Sequence, residues 1–430
     1  MSLVLRVVVV LIAFISVAVW TQVPEMQAPE LGVGPDRAPS SAVACPVVTG
    51  RDARSEAFVG TRLPGDIRLL ASSGGVALTD SVTAAGELSG ASFDIGATVG
   101  ASTVGLVIDL PEEGAAASIV TSSDLVLAAA MCTPPAVGET AIAGLSTASG
   151  ESLDLVLANP YANDAVVEIR TISEAGVDSA SELESVVVPA RSVVTVDLGR
   201  ILPLRNRLSI RIIPERGVVH AAAVQSSTNE RMVVEAVSPS TEWLLPLPDT
   251  GTTPIVTVLP TTGVDSEYTI DAYSEAGPIE AVQSGVLASD TQMVLDIESL
   301  PEGTAAVKVT TSGESVASVV VEGETIRAGT PGAPFAASTW VVPGPGGAGA
   351  VLRLANPNGI DATVELRSLI TVAEVETVRV PAGSTLLVRL SGPGPGYIVQ
   401  SDGDVFVSWS LSSDAGFALG VGMPLRTAGE

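Results

Sequence analysis

Chemistry in this chain would have to start from very few residues. His220 is the only histidine, so a Ser-His-Asp hydrolase or a histidine-ligated metal site would have to use it. Internal alignment sets "RGVVHAAA" against "GDVFVSWS", which puts His220 opposite Val407, with Leu127 at that point of an earlier unit. A position that is apolar in sister units belongs to a strand first, and His220 is expected to be a partly buried histidine rather than a catalytic one.

Carboxylates are numerous, as an acidic chain requires. Asp402 and Asp404 in "QSDGDVF" and Glu112 with Glu113 read as hairpin turns carrying solvated charge. Clustered oxygens could take calcium, but the loop spacing of a calcium site is absent, so no metal ligand is assigned. A glycosidase pair drawn from distant strands is compatible with the composition, and nothing favours one pair. "PGPGGAGA" from Pro343 and "SGPGPG" from Ser391 lack the Lys-Ser/Thr of a phosphate loop and read as connections between strands. No catalytic residue and no cofactor is assigned.

The most distinctive polar stretch is "GRILPLRNRLSIRIIPERG", which gathers Arg200, Arg205, Arg207, Arg211 and Arg216 in a protein of formal net charge −27. In strand register Arg207, Ser209 and Arg211 share one face and Leu208, Ile210 and Ile212 the other. Arg205, Arg207 and Arg211 are therefore candidates for binding an anionic polymer or an acidic partner, beside the plainer reading of a charged outer face or a blunted edge strand. The net charge itself repels phosphate backbones and excludes nucleic acid as a partner.

The elements that must position these residues begin with an apolar N-terminus. Leu3 to Trp20 is almost wholly apolar with one early cation, Arg6, and residues 1–20 are expected to be a transmembrane signal-anchor helix or a signal peptide. Trp20 occupies the place where cleavage wants a small residue, and it suits a membrane interface. The anchored reading gives a single-pass protein of the cell membrane with an extracytoplasmic C-terminal region; the cleaved reading gives a secreted one. Prolines at 24, 29, 35 and 39 make residues 21–44 a stalk. In an oxidising compartment the two cysteines, Cys45 and Cys132, read as one disulfide.

Beyond the stalk the chain repeats itself. "LVLANPYANDAVVEIR" from Leu155 returns as "LRLANPNGIDATVELR" from Leu352, and "LPEEGAAASIVTSSDLV" from Leu110 matches "LPEGTAAVKVTTSGESV" from Leu300. Trp243 and Trp340 open adjacent units. Runs of Val and Ile with Gly, Pro, Asn and Asp between them are strands and turns, and no convincing helix appears. The Asn-Pro pairs end a strand through an Asx turn. Pro189 in "VPARS" and Pro381 in "VPAGS" are expected in hairpins. The units fall at 45–137, 138–239, 240–333 and 334–430, each about 95 residues, the first resembling the third and the second the fourth. That length fits an all-β fold of tandem immunoglobulin-like antiparallel β-sandwich repeats of about 100 residues. A β-propeller with two blades per repeat is the alternative.

The apolar N-terminus, Pro-rich stalk, repeated "LANP" strands and "VPAGS"-like turns resemble a family of secreted or membrane-anchored actinobacterial proteins of unknown function. The resemblance covers most of the chain after the stalk and implies an envelope context without catalytic residues. The function expected is a non-enzymatic extracytoplasmic scaffold or binding protein of the cell envelope, whose partner is an envelope protein or anionic polymer. The alternative is an extracytoplasmic hydrolase acting on a wall polymer.

Overall fold

A computed structural model describes residues 42–46, 54–61, 65–73, 76–85, 89–95, 105–109, 115–123, 126–134, 136, 138–228, 230–248, 254–295, 300, 302–323, 327–344, 349–369, 375–390 and 396–424. The expected anchor at 1–20 and the stalk up to residue 41 lie outside these. Among the described residues no helix is long and apolar enough to cross a membrane.

The first repeat runs Ala42–Pro46 (β1), Arg54–Thr61 (β2), Gly65–Ser73 (β3), Val76–Ala85 (β4), Ser89–Asp94 (β5), Gly105–Asp109 (β6), Ala115–Ser122 (β7) and Leu127–Met131 (β8). The second runs Thr140–Leu145 (β9), Ser152–Asn159 (β10), Ala165–Ser173 (β11), Gly176–Asp178 (β12) with Val186–Val188 (β13), Ser192–Asp197 (β14), Leu208–Arg216 (β15), His220–Ser226 (β16) and Arg231–Glu235 (β17). The third is Ser240–Pro246 (β18), Pro254–Pro260 (β19), Ser266–Ser274 (β20), Gly277–Leu287 (β21), Met293–Leu295 (β22), Thr304–Glu322 (β23) and Arg327–Pro331 (β24). The fourth is Ala337–Pro343 (β25), Ala350–Ala355 (β26), Ala362–Ser368 (β27), Val375–Val380 (β28), Thr385–Arg389 (β29), Gly396–Ser413 (β30), Gly416–Val421 (β31) and the short Met423–Pro424 (β32). Strand β1 takes in residues 42–44, which sequence assigns to the stalk. The correction has a simple cause: Val43 and Cys45 alternate into the core of the first repeat while Ala44 faces the second.

Each repeat is built on the same two four-stranded antiparallel sheets, with β32 added beside β25 in the fourth. In the second repeat one sheet is ordered β12/β13-β11-β15-β9 and the other β14-β10-β16-β17. The long strands β23 and β30 each supply the sixth and seventh strands of their repeats by bending from one sheet into the other. Counting by position, the second strand pairs the fifth and the third pairs the fourth and sixth, as strands B, E, C, C′ and F do in an immunoglobulin domain. The first strand takes the place of G beside F, and the seventh takes that of A beside B. These are immunoglobulin-like sandwiches. The strands of one repeat alternate between two sheets, which separates the fold from a propeller, whose blades are each a separate four-stranded sheet.

Two local expectations are corrected. The "VPARS" and "VPAGS" turns are crossovers rather than hairpins, since β13 pairs β11 while β14 pairs β10, and β28 pairs β27 while β29 pairs β26. Asp402 and Asp404 lie within β30 at its bend between sheets, also not in a hairpin. Both errors share a cause: in a sandwich a turn between two strand-like runs joins different sheets as readily as neighbours.

The repeats close into a ring. Between the second and third repeats Ser318 Oγ donates to Ala143 O at 2.6 Å. Between the first and fourth Ser118 Oγ donates to Pro343 O at 3.0 Å. Ser118 and Ser318 hold the same place in the ladders, opposite Met131 and Pro331. Ala143 and Pro343 each lie two residues beyond the one bridged to the segment after the eighth strand, Ala141 to Val237 and Val341 to Met423. The contact that brings the last repeat onto the first thus copies one between repeats joined in sequence. Heterologous contacts of this kind form a closed cycle when the rotation permits. The eighth strands β8, β17, β24 and β31 adjoin in cyclic order, and Ala128, Ala129, Met232, Gly329, Phe417 and Leu419 meet where they converge. Small residues allow this approach: a Cβ on Gly329 would meet Met232 Sδ at 2.7 Å.

Candidate functional site

The twice-written motif is a structural clamp. Asn159, 2% exposed, donates from Nδ2 to the carbonyls of Asn163, Val188 and Pro189, and its Oδ1 accepts from the Tyr161 amide. Asn356 repeats every contact with Ile360, Val380, Pro381 and Asn358. Asp164 and Asp361 then accept from the amides of Ala190 and Ala382. The "LANP…D" and "VPA" stretches are two halves of one corner, tying the crossover between the second and third strands to that between the fourth and fifth. Asp265 accepting from Ser289 N keeps half of this device in the third repeat.

The three candidate arginines are not brought together as one patch. Arg205 makes a forked contact with Asp178, Nη2 to Oδ1 at 2.7 Å, and the guanidinium holds the Asp178 carboxyl below its ordinary range. Arg211 forks onto Glu139 at 2.6 and 2.9 Å and reaches across to Thr261 O of the third repeat at 2.7 Å. Arg207 is exposed, and its backbone amide donates to Glu174. Ser209 and Arg211 do share a face, as expected, but that face is covered by the next repeat, with Ser209 Oγ on Gln292 at 2.6 Å. The sequence could not show this because a strand face covered by another repeat and one facing water use the same period of two. Arg327, which no sequence pattern singles out, makes the ionic link across this seam, to Glu151 at 2.7 Å and Glu230 at 3.8 Å, and pairs with Glu322 of its own repeat at 3.3 Å.

His220 is buried rather than partly exposed, at 3%. Its ladder partner Ala158 corresponds to Ala355, the partner of Phe406. The sister residue of His220 is therefore Phe406 and not Val407, a one-residue correction to the internal alignment. Burial pushes the imidazole down to about 3, and its Nε2 has no hydrogen-bond partner. Glu235, which sequence reasoning missed, sits on the adjacent strand at 2% exposure. Burial pushes it up to about 8, opposed by the backbone amide of Met131, and its Oε1 is unpartnered. A signal existed: Glu235 is a lone acid in the apolar run "MVVEAV".

Cys45 and Cys132 form a disulfide with Cα atoms 4.5 Å apart. It joins β1 to the segment leaving β8, where Ala44 bridges Thr133. Asp402 Oδ1 accepts from Thr363 N at 2.7 Å, an interaction that lowers its carboxyl. Glu112 and Glu113, and residues 345–348 and 391–395 of the glycine-rich stretches, lie outside the described residues. Among the described residues no three His, Cys, Asp or Glu side chains gather to hold a metal ion. Across the seam between the second and third repeats these side chains supply the Arg327–Glu151 ion pair and the Arg211–Thr261 hydrogen bond.

Residues 72–391 match the family of unknown function DUF5719. The chain belongs to DUF5719. No curated protein matches it. Among solved structures, the matches to the DUF5719 chain include a tetra-tandem repeat from the extending region of a large adhesion protein, at 12% identity, 90% coverage of this chain, 100% of that one and a TM-score of 0.12. An anti-sigma factor domain-containing protein from Clostridium clariflavum gives 9% identity, coverages of 85% and 99% and the same TM-score. At that score neither carries a fold or a function over to DUF5719.

Proposed function

We propose that this chain is a non-catalytic scaffold of the cell envelope, held by residues 3–20 and carrying its ring beyond a Pro-rich stalk to an extracytoplasmic partner. One observation carries the reading: the groups best suited to acid–base or anion chemistry are spent within the ring. His220 is sealed from solvent, Arg211 is forked onto Glu139, and Arg205 onto Asp178. Arg207 remains available for an anionic polymer or acidic protein, so the partner contact proposed for the arginine strip narrows to that residue.

The test is sedimentation of the full chain with isolated envelope fractions across a salt series, with soluble fragments assayed in the supernatant and an Arg207→Ser variant alongside. Retention without fragment release supports the scaffold. Salt-sensitive retention lost in Arg207→Ser identifies an anionic partner. Release of soluble polymer fragments would overturn the proposal in favour of a hydrolase.

A further inference from the structure

The second repeat alone carries polar side chains at a pair of positions that the other three keep apolar. Taking the bridge after each eighth strand as reference, Met131, Glu235, Pro331 and Val421 are equivalent. So are Ala116, His220, Val316 and Phe406, each two residues before the partner of that position on the seventh strand. Glu235 faces Ala222 across the ladder and His220 lies diagonally from it, a spacing of roughly 7–8 Å between Cβ atoms. Their face also carries Ala222 and Val233, packed on Ala130 of the first repeat, and Ala158 and Val156, packed on Ala44 and Val107.

This seam is built from small apolar side chains and contains three buried atoms without partners: His220 Nε2, Glu235 Oε1 and Thr133 Oγ1. Ala222 stands where Ser118 and Ser318 tie the first repeat to the fourth and the third to the second. The seam between the first and second repeats therefore lacks that tie and has a titratable pair instead.

We propose that Glu235 is a proton-operated catch: while it is uncharged the first repeat is held against the second, and its ionisation releases it. The Cys45–Cys132 disulfide keeps the first repeat itself closed as it swings away. Glu235 is neutral in mildly acidic solution and ionised in alkaline solution, given its position at about 8. His220 stays neutral over that range and supplies no counter-charge. Among the described side chains on this face, the other charged groups are Arg231 and, toward the opposite edge of the sheet, Asp154 and Asp197. Arg231 lies four residues along β17, about 13 Å at strand rise, and the two aspartates add only like charge. The Met131 amide of the first repeat donates to Glu235 but does not offset its burial, and a buried carboxylate without a cation is stable only once water reaches it.

Hydrogen–deuterium exchange of the full chain at pH 6 and pH 9, corrected for intrinsic rates, tests the catch. The reporter is the Ala136 amide, which donates to Val219 O beside His220. The control is the Leu244 amide, bonded to Ala333 O within the third repeat. Protection at Ala136 is expected to fall at least about tenfold at pH 9 while Leu244 holds, and Glu235→Gln is expected to abolish the difference. Should Glu235→Gln not fold, Glu235→Val, which copies the fourth repeat, replaces it. Equal protection at both pH values in the wild type, an equal fall in the variant, or a matching fall at Leu244 would each overturn the proposal.

Discussion

At the residue scale the polar side chains act as fasteners. Asn159 and Asn356 each satisfy three carbonyls from a buried position, so Asn356→Ala leaves those acceptors unpaired. A loss of about 2–4 kcal/mol is expected by urea denaturation, at the upper end for one side chain. The local turn was legible from "ANP", because Asn before Pro is an Asx-turn signal. The carbonyls it holds come from "VP", 24 to 30 residues away, and no local rule links the two. His220 and Glu235 set opposite pH limits. The unfolded imidazole gains its proton near 6.5 and the folded one only near 3, so its contribution is complete above pH 6.5 and is lost as pH falls toward 3. The Glu235 contribution is complete below about 4.5 and is lost as pH rises through 8. Stability is expected to peak between pH 4.5 and 6.5, and His220→Phe should flatten the acid limb in chemical denaturation across pH.

At the element scale the repeats are interchangeable parts with different closures. Cys45 and Cys132 sit where the second repeat has Ile142 and Ala236, one residue from the corresponding bridges. Both of those are buried. Ile142→Cys combined with Ala236→Cys is expected to oxidise to a second disulfide, visible as absent free thiol, and to add up to about 4.6 kcal/mol on the chain-entropy estimate. Removing one side of the Arg211 fork is expected to be harmful: Arg211→Ala strands Glu139 in the seam and should cost about 3 kcal/mol in denaturant unfolding. Strand composition and alternation made the all-β class and the repeat length legible. Sheet membership was not, because "VPARS" reads the same whether β13 and β14 are neighbours or lie in opposite sheets.

For the whole molecule the decisive feature is closure. A compact body of the size of residues 42–424 has a radius of gyration of about 21 Å, and scattering should return a value near this for the part beyond the stalk. Gly60 is the point at which to break the ring, since a Cβ there would meet Leu369 and Val341 of the fourth repeat at 2.7 Å. Gly60→Val is expected to raise the radius by several ångströms while each sandwich stays folded, on the order of an opened arc rather than a coil. The ring was illegible in the sequence because its seams use Ala, Ser and Gly in ordinary strand alternation, with nothing to mark a covered face.

The disulfide also decides how the molecule would carry mechanical load. A pull entering along β1 meets Cys45 and passes through sulfur directly to Cys132, a residue 87 positions further along. The intervening chain lies off the load path and cannot pay out length while the bond stands. Tension from the N-terminal side would therefore be felt first between the first and second repeats, with the first repeat acting as a rigid shackle.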